Sequence, residues 1–140
     1  MLQQMKKRMK DEKGLTLIEL LAVIVILAII AAIAIPAIGN IIDNSRVKGA
    51  KADAANILNA ANLYFTENSN ATTFTNETDG AENFISEKGT IDEFTVTKNG
   101  MKIDATGTAG GKSYTITQST LSGLEVDKGD TDTDTFKWNE

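Results

Sequence analysis

The chain contains neither cysteine nor histidine among its 140 residues. Without cysteine there is no disulfide staple, no thiol nucleophile and no thiolate metal ligand. The redox compartment stays open, because exported proteins need not use bridges. Without histidine, Ser-His-Asp and Cys-His activation, imidazole-ligated zinc and the commonest general base are all excluded. An enzyme built on this sequence would have to work with carboxylates or lysine alone, and no glycine-rich phosphate loop or set of paired buried carboxylates supports one. The chain therefore reads as non-enzymatic. A membrane-anchored enzyme or sensor is the competing reading that these absences oppose.

Positive charge is also scarce after the first residues. Lys6, Lys7, Arg8, Lys10 and Lys13 precede Leu15 together with Asp11 and Glu12, so of a net −5 the first 14 residues carry +3 and the rest −8. So acidic a body is repelled by phosphate backbones, which opposes bulk electrostatic binding to nucleic acid. Arg46, Lys48 and Lys51 form the one local basic cluster in the sequence after the leader. It reads either as a contact for DNA or an anionic surface or, with Asp43 and Asp53 beside it, as a solvated or subunit-contact face.

Leu20 to Ile35 is sixteen apolar residues without a polar break, and Leu15, Leu17 and Ile18 lengthen the stretch. It is long enough to span a bilayer, and a helix apolar on every face has nothing in so small a protein to bury it. The basic residues before it set the orientation, with the leader cytoplasmic and the body outside. An ordinary secretory signal peptide, cut near Ala32-Ile33-Ala34, is the alternative. Two features oppose it: the run exceeds the usual apolar region of a signal, and Glu19 lies within it. A carboxylate there costs about 2–3 kcal/mol on insertion scales, so it calls for a partner.

The string from Lys13 to Pro36, KGLTLIELLAVIVILAIIAAIAIP, resembles the N-terminal signature of the type IV pilin family, which includes pilins and the pseudopilins of type II secretion and competence machines. The resemblance implies cleavage by a prepilin peptidase after Gly14 and N-methylation of the new N-terminus at Leu15. It also implies an assembly role for Glu19 and a helix kink at Pro36. Phenylalanine is commonest where this chain has Leu15; the large apolar character is kept. A free amine at Leu15 would sit at the edge of the same apolar medium as the Glu19 of an adjacent chain, so an ion pair between chains satisfies both. Pairing of Glu19 with its own amine, or simple protonation, is the alternative. The resemblance further implies a helical homo-oligomeric filament, an inner-membrane assembly platform as partner, and a single-pass membrane precursor that ends in a surface filament. Pilus subunit and pseudopilin both remain open.

Beyond the span, Val47, Ala50, Ala54, Ile57, Leu58, Ala61 and Phe65 recur at steps of three and four and predict an amphipathic continuation of the helix. Pro36 lacks a backbone donor and Gly39 is a weak helix former, so a bend or local melting is expected between the two halves. Residues 66–90 read as a long polar loop with a short helix near Ala81 to Ser86.

The period then becomes two, through Phe94 and Val96, then Met101, Ile103 and Ala105, then Tyr114 and Ile116. Asn99-Gly100 predicts a hairpin turn because both residues tolerate positive φ. A weaker fourth strand falls near Leu124 to Val126 or Phe136 to Trp138. The expected fold is α+β: a long N-terminal helix with a small antiparallel sheet of three or four strands on its C-terminal half. The expected divisions are a leader (1–14), an apolar helix (15–39) that spans the membrane before assembly and forms the filament core after it, an amphipathic helix (40–68), and a loop, sheet and acidic segment (69–140). In the last of these, Asp127, Asp130, Asp132 and Asp134 alternate as in oxygen-rich calcium loops, though without the glycine and bidentate glutamate of an EF-hand. The run reads as a calcium site or as a solvated acidic turn.

Overall fold

The computed structural model describes residues 2–125 and 135–139, with the side chains of Leu2, residues 4–15 and Glu125 outside that description. Helix α1 runs from Leu2 to Glu67 and is helical without interruption through Pro36 and Gly39. The expected local melting is therefore absent here. The chain divides into two compact units, Met1–Ile41 and Ile42–Glu140.

In the first unit α1 is apolar all round from Leu20 to Ile35. From Thr16 onward α1 is long and apolar enough to cross a membrane. Leu17, Leu21, Ile24, Ile29 and Ile35 are 52–71% exposed.

In the second unit the helix carries a sheet. Strands β1 (Thr73–Thr75), β2 (Ile91–Thr97), β3 (Lys102–Ala109), β4 (Lys112–Ser119) and β5 (Phe136–Trp138) form an antiparallel meander in that order. Alternation places Phe94, Val96, Ile103, Ala105, Tyr114 and Ile116 on the inner face, each at most 4% exposed. The stripe expected from the helical period lies in the same core, from Val47 through Ala54 and Ile57 to Phe65, at 0–5% exposure. Each large side chain buried in this way stabilises by about 1.5–3 kcal/mol, and the inner face of the sheet shares this core with α1.

Several local expectations are corrected. Among the described residues the sheet has five strands, because Thr73–Thr75 pairs with Thr95–Thr97 at the edge, inside the stretch read as loop. The expected short helix is a 3-10 turn at Ala81–Asn83. Of the two sites for a further strand, Phe136–Trp138 is the strand, and Leu124 lies in the short helix α2 (Leu121–Glu125).

The β2–β3 connection spans Lys98 to Met101, and its positive φ values fall on Gly100 and Met101 rather than on Asn99. The two-residue turn with positive φ at both positions is Gly110-Gly111, between paired Ala109 and Lys112, at φ 60° and 82°. Such a turn matches the right-handed twist of its strands, and two glycines adopt it without a Cβ clash.

Candidate functional site

The residues that the family resemblance singles out sit on the first unit. Gly14 and Leu15 are helical in backbone, and the Leu15 side chain lies outside the description. In the uncut chain the Leu15 nitrogen is an amide without charge, so any ion pair with it has to follow cleavage of the Gly14–Leu15 bond. Glu19 is exposed on α1 within the apolar run, and no hydrogen bond or ion pair to it occurs among the described residues. Leu15 and Glu19 are four residues apart, about 6 Å along a helix axis and on one face, so a freed amine would lie in the carboxylate's own neighbourhood. Pro36 is internal to the helix. The acidic run Asp127, Asp130, Asp132 and Asp134 lies outside the described residues. Among those described, no group of three or more carboxylates is placed to hold a metal.

In the second unit the basic cluster is not a uniform outer face. Arg46 donates to Asp43 at 3.1 Å, and Lys112, 69 residues away in β4, donates to the other oxygen of the same carboxylate at 3.0 Å. The hydrogen bond and charge of Lys112, with Arg46 adding, hold the Asp43 carboxyl below its ordinary value, against an opposing push from burial. Lys48 is exposed, but Lys51, on the turn between Val47 and Ala54, is only 9% exposed. The sequence reading missed this, since a helical period assigns a face to the Cα and not to the end of a long side chain.

Asp53 was also expected on an outer face, and it is instead half-buried. Its Oδ2 accepts from the Thr90 backbone N–H and from Thr90 Oγ1, both at 2.8 Å. Thr90 Oγ1 lies 2.8 Å from the Tyr114 hydroxyl. The threonine has a single proton, which goes to the carboxylate, so the tyrosine must donate to the threonine. Burial raises the Tyr114 pKa above its ordinary value, opposed by the bond to Thr90 and aided by the charges of Asp53 and Asp92. Gly89, at φ 61°, lets the loop approach so closely that a Cβ there would overlap the Asp53 carboxylate. This chain of hydrogen bonds ties α1, the loop before β2, and β4 together. It is a structural clip in a unit that has no disulfide. No buried side-chain nitrogen or oxygen among the described residues lacks a partner.

Comparison with known proteins gives one match. Residues 9–35 match the family model of the prokaryotic N-terminal methylation motif, about a fifth of the chain. No curated protein and no solved structure matches the chain. The matched segment covers Gly14, Leu15 and Glu19 and is a type IV prepilin-like signal, which supports the pilin and pseudopilin family. The motif supports a type IV pilin-like or pseudopilin precursor and points to a structural protein.

Proposed function

We propose that this chain is the precursor of a structural subunit of a type IV pilus. A prepilin peptidase cuts it after Gly14, Leu15 is N-methylated, and the subunit polymerises through the apolar half of α1 into a helical filament. The observation that carries the reading is the methylation motif at residues 9–35 joined to a helix that leaves its large apolar side chains exposed from Leu17 to Ile42. An apolar surface so extensive calls for a bilayer before assembly and neighbouring helices after it. The assembly platform in the membrane is the partner that would move the subunit between these environments, and the final location is the cell surface.

Glu19 then acts as a register device. Sliding a subunit along its neighbours would strand a carboxylate in apolar packing, so the pair with the amine of an adjacent Leu15 selects one axial position.

Mass spectrometry of the chain expressed in a host with a prepilin peptidase tests the reading. The expected product begins at a methylated Leu15, and Gly14→Glu retains the leader while staying in the membrane, because the scissile position requires the smallest side chain. Cleavage near Ala32 to Ala34 would restore the signal-peptide alternative. Electron microscopy of the cell surface then separates long filaments from the short fibres of a pseudopilus.

A further inference from the structure

Charge in the second unit is unevenly placed. Residues 42–140 hold 9 basic and 16 acidic side chains, net −7. Asp43, Arg46, Lys48, Lys51 and Lys112 together carry +3, so the rest of the unit carries −10. Four of these five belong to the first turns of α1 after Ile42, the last of the exposed large apolar residues of the run. Lys112 reaches the same place from the β3–β4 hairpin. Its ammonium is 3.0 Å from Asp43, the residue covalently next to Ile42, and 5.7 Å from the centre of the Trp138 ring. A cation that would otherwise belong to the sheet is thus held at the point where the apolar run ends.

Asp43 takes one donor from each of its partners. A lysine ammonium has three donors and a guanidinium five, so both retain capacity for further acceptors. The Lys112 side chain is 53% exposed and that of Arg46 33%. Trp138 packs edge-on against Tyr114 and Phe136 and remains half-buried. Basic side chains with a tryptophan, directly after an apolar span, have the chemistry of the membrane–water interface, where cations meet lipid phosphates and an indole meets the headgroup layer.

We propose that Arg46 and Lys112, braced by Asp43 and backed by Trp138, form a docking surface for anionic lipid headgroups of the leaflet that the precursor's span leaves. The proposal rests on the membrane-anchored reading above. Its consequence is that the otherwise acidic unit is held down on the bilayer until assembly, instead of being repelled by it.

Trp138 is the only tryptophan of the chain, so its fluorescence reports this surface alone. The full chain is reconstituted at low protein density in phosphatidylcholine vesicles, with and without about a third phosphatidylglycerol. Quenching by lipids brominated next to the headgroup should be stronger, and emission shifted to shorter wavelength, in the anionic vesicles. Added salt should reverse both changes. Arg46→Gln and Lys112→Gln should each weaken the association about fivefold, the factor for one surface cation, while Lys112→Arg keeps it and so excludes misfolding as the cause.

Equal quenching in both vesicles overturns the proposal. So does reproduction of the shift by inorganic phosphate added to neutral vesicles, which would assign a free-phosphate site. Quenching that grows only with protein density would assign the surface to a second copy of the chain. Failure to float with vesicles of either composition overturns the anchored reading itself, whereas flotation without charge-dependent quenching removes this inference alone.

Discussion

Along α1 the large apolar side chains from Leu17 to Ile42 are 43–71% exposed, whereas the stripe from Val47 to Phe65 is 0–5% exposed. The backbone state is the same throughout, so helix propensity does not distinguish the two halves. What differs is the angular spread of the apolar residues. The second half confines them to one face, which a sheet can cover; the first distributes them all round, and no single packed layer within a chain covers such a surface. One half thus buries its apolar face within its own chain, and under the proposed function the other is covered by lipid or by neighbouring helices.

Glu19→Ala should break the comparison most sharply from the first half. If the carboxylate pairs with the amine of an adjacent chain, as proposed, the variant is expected to insert, be processed and keep the thermal midpoint of the second unit, yet yield few filaments. Wild-type filament yield would remove the pairing between chains. Glu19→Gln tells charge from hydrogen bonding.

From the second half, Phe74→Ala empties a fully buried ring that contacts Tyr64, Phe84 and Phe94. A loss of about 3–5 kcal/mol is expected, a large part of what a domain of this size has. Ile29→Ala, at a position 58% exposed, should change the same denaturant midpoint by less than about 0.5 kcal/mol. Equal losses would show that the halves do not differ as their exposure indicates.

Calcium is the next largest expected effect. Leu124 and Phe136, at 6% and 1% exposure, are both in the core and bracket the acidic run. An ion held by Asp127, Asp130, Asp132 and Asp134 would stabilise the folded unit by about 2.7 kcal/mol at a hundredfold excess over its dissociation constant. Melting in calcium and in chelator checks it, with Asp132→Ala abolishing the difference. Equal midpoints leave the run a solvated turn.

Asp53→Ala should destabilise the second unit by about 1–3 kcal/mol, since it leaves the Thr90 donors without their acceptor. Asp53→Asn retains one acceptor oxygen and should cost less, and the difference in midpoint between the two variants measures the clip.

The smallest effect is a pH dependence at Asp43. Its carboxyl is held below 3.8, so its contribution is complete above that value and disappears as pH falls through the lowered one. Midpoints between about pH 5 and about pH 2 should show a slope that Lys112→Met reduces.

Particular elements show how much of the fold the sequence made legible. The Val47 to Phe65 stripe and the inner faces of β2, β3 and β4 repeat with periods that sequence alone displays. Strand β1 was missed because three residues, Thr-Phe-Thr, carry too short an alternation; pairing with Val96 and its neighbours makes them a strand. The hairpin expected at Asn99-Gly100 is there and joins β2 to β3, while the paired glycines Gly110-Gly111, an equally available signal for the turn between β3 and β4, carry no expectation above.

What the residue order determined by itself is local and periodic. It places a basic N-terminal segment, a long apolar run, an acid four residues after Leu15, and two kinds of alternation, because each depends on neighbours within a turn of helix or a length of strand. The tertiary structure alone decided that Lys51 is buried, that Asp53 meets Thr90 across 37 residues and that Lys112 meets Asp43 across 69. Contacts at such separations follow no spacing rule. They exist because a meander laid on a helix returns distant side chains to one place, where a charge or hydrogen-bonding group must find its partner or lose its water.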